Sequence, residues 1–165
     1  MNEVLIREMK DDDWDEVQAI YKQGIDSGTA TFMKNVPDFE YWDKAKLKIG
    51  RLVAEYNGKI VGWVTLSATS AREDYVGVNE VSIYVHENYK SLGIGKKLLQ
   101  KVIEVSEQNN IWTLQSVILA NNFSSRKLHE SCGFRLVGYR ERIAKDKHGN
   151  WQDSILMERR SEVVH

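Results

Sequence analysis

The 165-residue chain has a single cysteine, Cys132, so no disulfide can close within it and a reducing, cytoplasmic setting is the expectation. Proline is as scarce. Pro37 stands alone, which excludes proline-rich linkers and leaves one globular domain over residues 1–165 as the expected organisation. An excess of one charge is also missing: 23 Lys and Arg oppose 24 Asp and Glu, for a formal net charge of -1. Such a chain has no general field to hold nucleic acid or an anionic membrane. No apolar run approaches the roughly 20 residues of a membrane span. The start Met1-Asn2-Glu3-Val4-Leu5 has no basic residues leading into an apolar stretch, so neither an anchor nor a cleaved leader is expected. His86, His129, His148 and His165 lack zinc-ligand spacing and cysteine partners in pairs, so no metal is expected.

What is present reads as alternating strands and helices. Val4 to Met9 is a short strand, and Asp13 with Glu16 three residues on forms a capping box for a helix that Gly24 would stop. Trp14, Val17, Ile20 and Tyr21 place one apolar stripe on that helix. Pro37 suits the first turn of a second helix running to about Ile49. Arg51 to Tyr56 and Lys59 to Ser67 are strands joined by Asn57-Gly58, a hairpin turn in which both residues need positive φ. Val81 to Val85 is a β-branched, alternating strand, and Leu98, Leu99, Val102 and Ile103 repeat at helical spacing to about Asn109. Leu114 to Leu119 is the next strand. Asn122 or Ser124 caps a short helix ending at Cys132-Gly133, and Phe134 to Ile143 pairs with Trp151 to Glu158 in a closing hairpin. The order β, α, α, β, β, β, α, β, α, β, β gives an α/β class: a mixed, mostly antiparallel twisted sheet with helices on both faces.

The turn Lys90-Ser91-Leu92-Gly93-Ile94-Gly95, between a strand and a helix, carries the first chemical signal. Two close glycines let backbone amides converge on a ligand at the positive end of the helix, a geometry suited to phosphate. A dinucleotide fingerprint would need glycine where Leu98 stands, and a phosphate loop would need Ser or Thr where Lys97 follows Gly95-Lys96. Both of those readings fail, and the glycines by themselves are equally compatible with a plain tight turn.

The stretch Glu80 to Leu99, followed by Asn122-Phe123-Ser124-Ser125-Arg126-Lys127-Leu128-His129-Glu130 and Gly133-Phe134, resembles the GNAT superfamily of N-acetyltransferases in nearly its whole element order. That family's turn begins with Gln or Arg and has glycines three and five positions later. Lys90, Gly93 and Gly95 keep the spacing, with lysine as a departure. Glu80-Val81-Ser82-Ile83-Tyr84-Val85, Leu128-His129-Glu130 and the tail Gly149-Asn150-Trp151-Gln152-Asp153 resemble the phosphinothricin and methionine sulfoximine N-acetyltransferases more closely.

The resemblance implies acetyl-CoA as donor co-substrate. The amides of Ser91, Leu92, Gly93, Ile94, Gly95 and Lys96 would take its diphosphate, Lys90 could supply charge toward it, and Ile83, Tyr84 and Val85 would meet the pantetheine arm as an added strand does. Asn122 would bond that arm from the other side, and a strand amide near Val85 would polarise the acetyl oxygen. Glu80 is implied as general base, and His129 as the donor to the departing thiolate or a helper in removing the amine proton. Cys132, three residues beyond His129, could imitate a nucleophilic pair, but a cysteine before a capping glycine is more simply a core residue. Arg72 is the expected clamp for an acceptor carboxylate, with Glu73, Tyr75 and Phe32 as companions. The small-molecule acceptor would be an amino acid or analogue, acetylated directly in a ternary complex by a homodimeric enzyme. The alternatives are a polyamine, an aminoglycoside or a protein N-terminus as acceptor, or a non-catalytic acyl-CoA binding module.

Overall fold

The computed structural model describes residues 3–165. Seven strands form one sheet in the order β1-β2-β3-β4-β5-β7-β6: β1 Leu5–Glu8, β2 Leu52–Tyr56, β3 Lys59–Ala68, β4 Val78–Val85, β5 Thr113–Leu119, β6 Arg135–Lys145 and β7 Trp151–Arg160. Only β4 and β5 run parallel, joined by the crossover helix α3, Ile94–Gln108. The Asn57-Gly58 hairpin is as read from sequence, with φ of 53° and 75°.

Alternation along β2, β3 and β4, shifted by one residue at a bulge between β2 and β3, sorts the core into two layers. Val53, Ile60 and Trp63 face helices α1, Trp14–Ser27, and α2, Phe39–Ala45, in a cluster with Val17, Ile20, Tyr21 and Trp42. Leu52, Val64, Leu66 and Val81 face the opposite way, onto Ile94, Leu98, Leu99 and Val102 of α3. Helix α4, Phe123–Ser131, packs beside α3, with Leu128 in contact with this second layer. Helices therefore cover both faces, as the sequence pattern implied.

Three helix boundaries differ from the sequence reading. Asp13 and Glu16 make no capping box for α1: the Asp13 carboxylate takes both Nη groups of Arg7 at 2.8 and 2.9 Å and the Lys10 N–H at 2.8 Å, closing a 3-10 turn over Asp11–Asp13. Glu16 instead accepts the Ile60 N–H at 2.8 Å, tying α1 to the start of β3. Gly24 does not stop α1, which continues to Ser27 and ends at Gly28 in the left-handed region, φ 74°. Helix α2 is capped by Asp38, whose carboxylate accepts the Tyr41 N–H, so Pro37 lies before the helix and not in its first turn, and it stops at Ala45 well short of Ile49. Lys46 is extended there because the next amide, Leu47 N–H, donates to the Leu66 carbonyl of β3 at 2.8 Å.

Gly24 is required by a close contact instead. A Cβ built on it would lie 2.6 Å from the ring of Tyr84, and that ring is held between Trp63 and Tyr21, centroids 4.8 and 4.9 Å away. Gly24→Val should destabilise the fold by about 2 kcal/mol, because overpacking costs roughly 1–3 kcal/mol while the gain in helix propensity over glycine is only a few tenths. A urea titration with an unchanged m-value and a lowered midpoint checks this, and an unchanged midpoint would contradict it.

Candidate active site

β4 and β5 pair only from Val78 with Thr113 to Glu80 with Gln115. Beyond that row β4 stays bonded to β3 as far as Val85 and β5 to β7 as far as Leu119, but the two strands no longer meet each other. From Val81 onward the edge of β4 that faces β5 therefore has no strand partner, and its amides and carbonyls border a gap. Buried backbone groups left without partners are costly, so such an edge is a ready acceptor for an extended ligand. Two cavities of about 320 and 360 Å³ open off the gap, and Ala30, Ile83, Tyr84, Asn122 and Ser125 line both.

The second cavity runs to the glycine turn, where Lys90, Gly93, Gly95 and Lys96 line it. Gly93 takes φ 71° as the residue before α3, and Gly95 packs so close to α4 that a Cβ would lie 3.1 Å from Leu128. The first amides of a helix have no intrahelical acceptor. The first turn of α3 holds Lys96 and Lys97 and no acidic residue, a charge pattern opposed to the helix dipole unless an anion sits there. The residues present thus fit a diphosphate. Ile94 is fully buried in the core, so it offers this site its amide alone, and Ser91 and Leu92 project to solvent.

The first cavity contains Glu80, at the last paired row of β4, together with Phe32, Ser116 and His129. His129 is 1 % exposed, and both ring nitrogens are engaged: Nδ1 donates to the Ser125 carbonyl at 2.7 Å and Nε2 meets the Ser116 hydroxyl at 2.8 Å. Since a carbonyl can only accept, the proton sits on Nδ1 and Nε2 receives the Ser116 O–H. Cys132 ends α4 with its sulfur 3.8 Å from the Ser131 hydroxyl. Asn122 caps α4 through the Ser125 N–H and donates its amide to the Thr29 carbonyl at 3.2 Å, so it also pins the loop that covers the gap.

Arg72, Glu73 and Tyr75 are not brought to either cavity. They occupy an exposed turn between β3 and β4, where Arg72 pairs with Asp74 at 3.0 Å and lies over the Tyr75 ring. Sequence reasoning missed Lys46, Ser116 and Ser125 in the first cavity and Gln23, Gly24 and Ser27 in the second. Ser116 carried a usable signal, as a polar residue in the middle of a β-branched strand. Lys46, in a lysine-rich stretch after α2, carried none. Among the described residues no cluster of His, Cys, Asp or Glu is arranged to hold a metal ion.

The sequence model described as the acetyltransferase (GNAT) family matches residues 11–134. The chain is 30% identical to a phosphinothricin N-acetyltransferase of Alcaligenes faecalis, over 93% of this chain and 81% of the relative. A crystal structure of a GNAT superfamily phosphinothricin acetyltransferase from Sinorhizobium meliloti in complex with acetyl-CoA superposes with a TM-score of 0.87 at 26% identity, covering 98% of this chain and 95% of that one. A ribosomal-protein-alanine N-acetyltransferase from Brucella melitensis superposes with a TM-score of 0.88 at 29% identity, covering 95% and 99%.

The buried histidine makes stability depend on pH. Burial pushes the His129 imidazole below its ordinary 6.5, and the hydrogen bond to Ser125 offsets only part of this. The unfolded ring takes its proton first as pH falls. Its contribution is therefore whole above about 6.5 and is lost as pH drops from there toward the lower folded value. Thermal melts between pH 7.5 and 5 should show the midpoint falling below 6.5, and His129→Gln should flatten that slope. An equal slope in the variant would contradict the assignment.

Proposed function

The chain belongs to the acetyltransferase (GNAT) family and is an acetyl-CoA-dependent N-acetyltransferase; from that premise we propose that its acceptor is the α-amino group of a small amino acid or analogue, of the phosphinothricin or methionine sulfoximine kind, acetylated directly in a ternary complex. The observation that carries this reading is Glu80. It makes no ion pair among the described residues and borders a cavity of only about 320 Å³ at the point where the edge of β4 becomes free.

Acetyl-CoA, when bound, supplies the acetyl group as an activated thioester. The amides of the Lys90 to Lys96 turn hold the diphosphate, with Lys90 and Lys96 contributing charge. The backbone of Ile83, Tyr84 and Val85 would align the pantetheine arm, Asn122 would hold the covering loop against it, and an amide near Val85 would polarise the acetyl oxygen. Glu80 removes a proton from the acceptor ammonium, since only the neutral amine is a nucleophile. Of the two roles open to His129, a neutral ring with its lone pair on Nε2 favours accepting a proton through the Ser116 hydroxyl over giving one. Phe32 supplies an apolar wall.

Assembly and location belong to the same proposal. The edge strand β6 and its neighbour β7 expose Leu136, Val137, Tyr139, Ile143 and Trp151, a surface suited to a twofold homodimer. The single cysteine suits a reducing cytoplasm. Among the described residues no helix is long and apolar enough to cross a membrane. The likeness to the Brucella enzyme favours one rival acceptor, a protein N-terminus.

Thiol release from acetyl-CoA, measured across amino acids, polyamines, aminoglycosides and alanine-initiated peptides, separates these readings. Small amino acids are expected to give the highest kcat/KM, and release with peptides or polyamines alone would overturn the acceptor assignment. Glu80→Gln should lower kcat by about 10²- to 10⁴-fold with acetyl-CoA binding retained, the range for a lost general base.

A further inference from the structure

Among the described residues that line the first cavity, Lys46 is the only cation and Glu80 the only anion, His129 being neutral. Lys46 follows α2 in extended backbone and reaches across to β4, where its ammonium donates to the Ser82 hydroxyl at 3.2 Å. Glu80 and Ser82 lie two residues apart on β4, hence on the same face and about 6.8 Å apart along the strand. The two opposite charges thus stand side by side without closing on each other. Neither forms an ion pair among the described residues. Arg51, a cation whose charge also acts on Lys46, is held by Asp43 and by the carbonyls of Leu47, Asp43 and Lys46.

An ammonium in this position is incompletely served. Burial lowers the Lys46 ammonium below its ordinary range, Glu80 partly offsets that, and Arg51 adds to the lowering. One neutral hydroxyl is a weak partner for a desolvated cation, which is stabilised far more by an anion.

We infer that Lys46 receives the α-carboxylate of the acceptor while Glu80 receives its ammonium, so that the cavity selects a zwitterion. The inference rests on the amino-acid reading above and names the residue that enforces it. The spacing suits the task, because Glu80 and the Ser82 hydroxyl on which Lys46 rests belong to residues one strand repeat apart, room for the amino nitrogen and carboxylate of one amino acid. A polyamine would bring a second cation against Lys46, and a peptide N-terminus would bring no carboxylate to it. Arg72, paired with Asp74 on the surface, is not needed for this contact.

The test compares L-phosphinothricin and L-methionine sulfoximine, each against its α-carboxamide, with wild type, Lys46→Met, Lys46→Arg and Arg72→Ala. Wild type should prefer the acids. Lys46→Met should raise KM for the acids by about 10- to 100-fold, the range for a lost hydrogen bond between charged partners, and leave KM for the amides unchanged. Lys46→Arg should restore most of the preference for the acids, and Arg72→Ala should retain it. If Lys46→Met lowers kcat for acid and amide alike, the lysine acts on Glu80 and the carboxylate contact is refuted. The contact is equally refuted if the acid preference persists in Lys46→Met or is lost in Arg72→Ala. A wild type that acetylates only carboxylate-free amines would overturn the acceptor reading as well, so the two failures are distinct. Binding of acetyl-CoA by each variant, which should match wild type, separates loss of the contact from loss of the fold.

Discussion

The molecule depends on the parting of β4 from β5 after the row that joins Glu80 to Gln115. A parallel pair in the middle of a sheet would ordinarily continue, since each further row satisfies backbone groups that are otherwise stranded. Here each strand is secured on its other side, β4 by β3 and β5 by β7, so the sheet survives the break. The helices conform to it: Gly24 lets α1 approach Tyr84 above the gap, and Gly95 lets α3 approach Leu128 of α4 below it. The free edge of one strand thereby becomes one wall of the proposed acetyl-transfer site.

Charge is distributed along that gap in two different ways. At the glycine turn Lys90, Lys96 and Lys97 cluster at a helix start that has no acid, a field suited to a polyanion. At the other end the cation and the carboxylate are single and adjacent, a field with little net sign and a strong local direction. Tyr84, Asn122 and Ser125 line both regions and separate them. Under the proposed assignment, a molecule with concentrated negative charge goes to the end where two lysines outnumber the one acid, Glu87, and a small zwitterion to the other, although the chain as a whole carries a formal charge of only -1.

What the sequence disclosed was what local chemistry decides. Asn57-Gly58 demanded positive φ, the β-branched alternation of Val81 to Val85 demanded a strand, and the helix after Leu119 offered Asn122 or Ser124 as its cap; the turn and strand are present, and the cap is Asn122. The GNAT resemblance likewise lay in contiguous motifs. What stayed hidden was decided by partners distant in sequence. Asp13 and Glu16 had the spacing of a capping box, but Arg7 and the Ile60 amide, 6 and 44 residues away, claimed the two carboxylates. Gly24 had the look of a helix stop because nothing local reveals the Tyr84 ring that requires it.

The same distinction explains the two candidate cations. Arg72 stands eight residues before Glu80, at a spacing that resembles the arginine of the phosphinothricin acetyltransferases, and that resemblance made it the expected clamp. A short exposed turn, however, lets an arginine satisfy itself with its neighbours Asp74 and Tyr75. Such a surface pair is worth little, yet it also gives the side chain no reason to enter the cavity. Lys46 is 34 residues from Glu80, and its neighbours in sequence, Lys44 and Lys48, pair with Glu40 and Asp43 at the surface. It differs from them only because Leu47 bonds to β3 and ends the helix one residue before it, which directs its side chain across the sheet to Ser82. A single backbone hydrogen bond thus turns one lysine of a solvated series into a desolvated charge beside the proposed base, the position from which discrimination between acceptors has the most leverage.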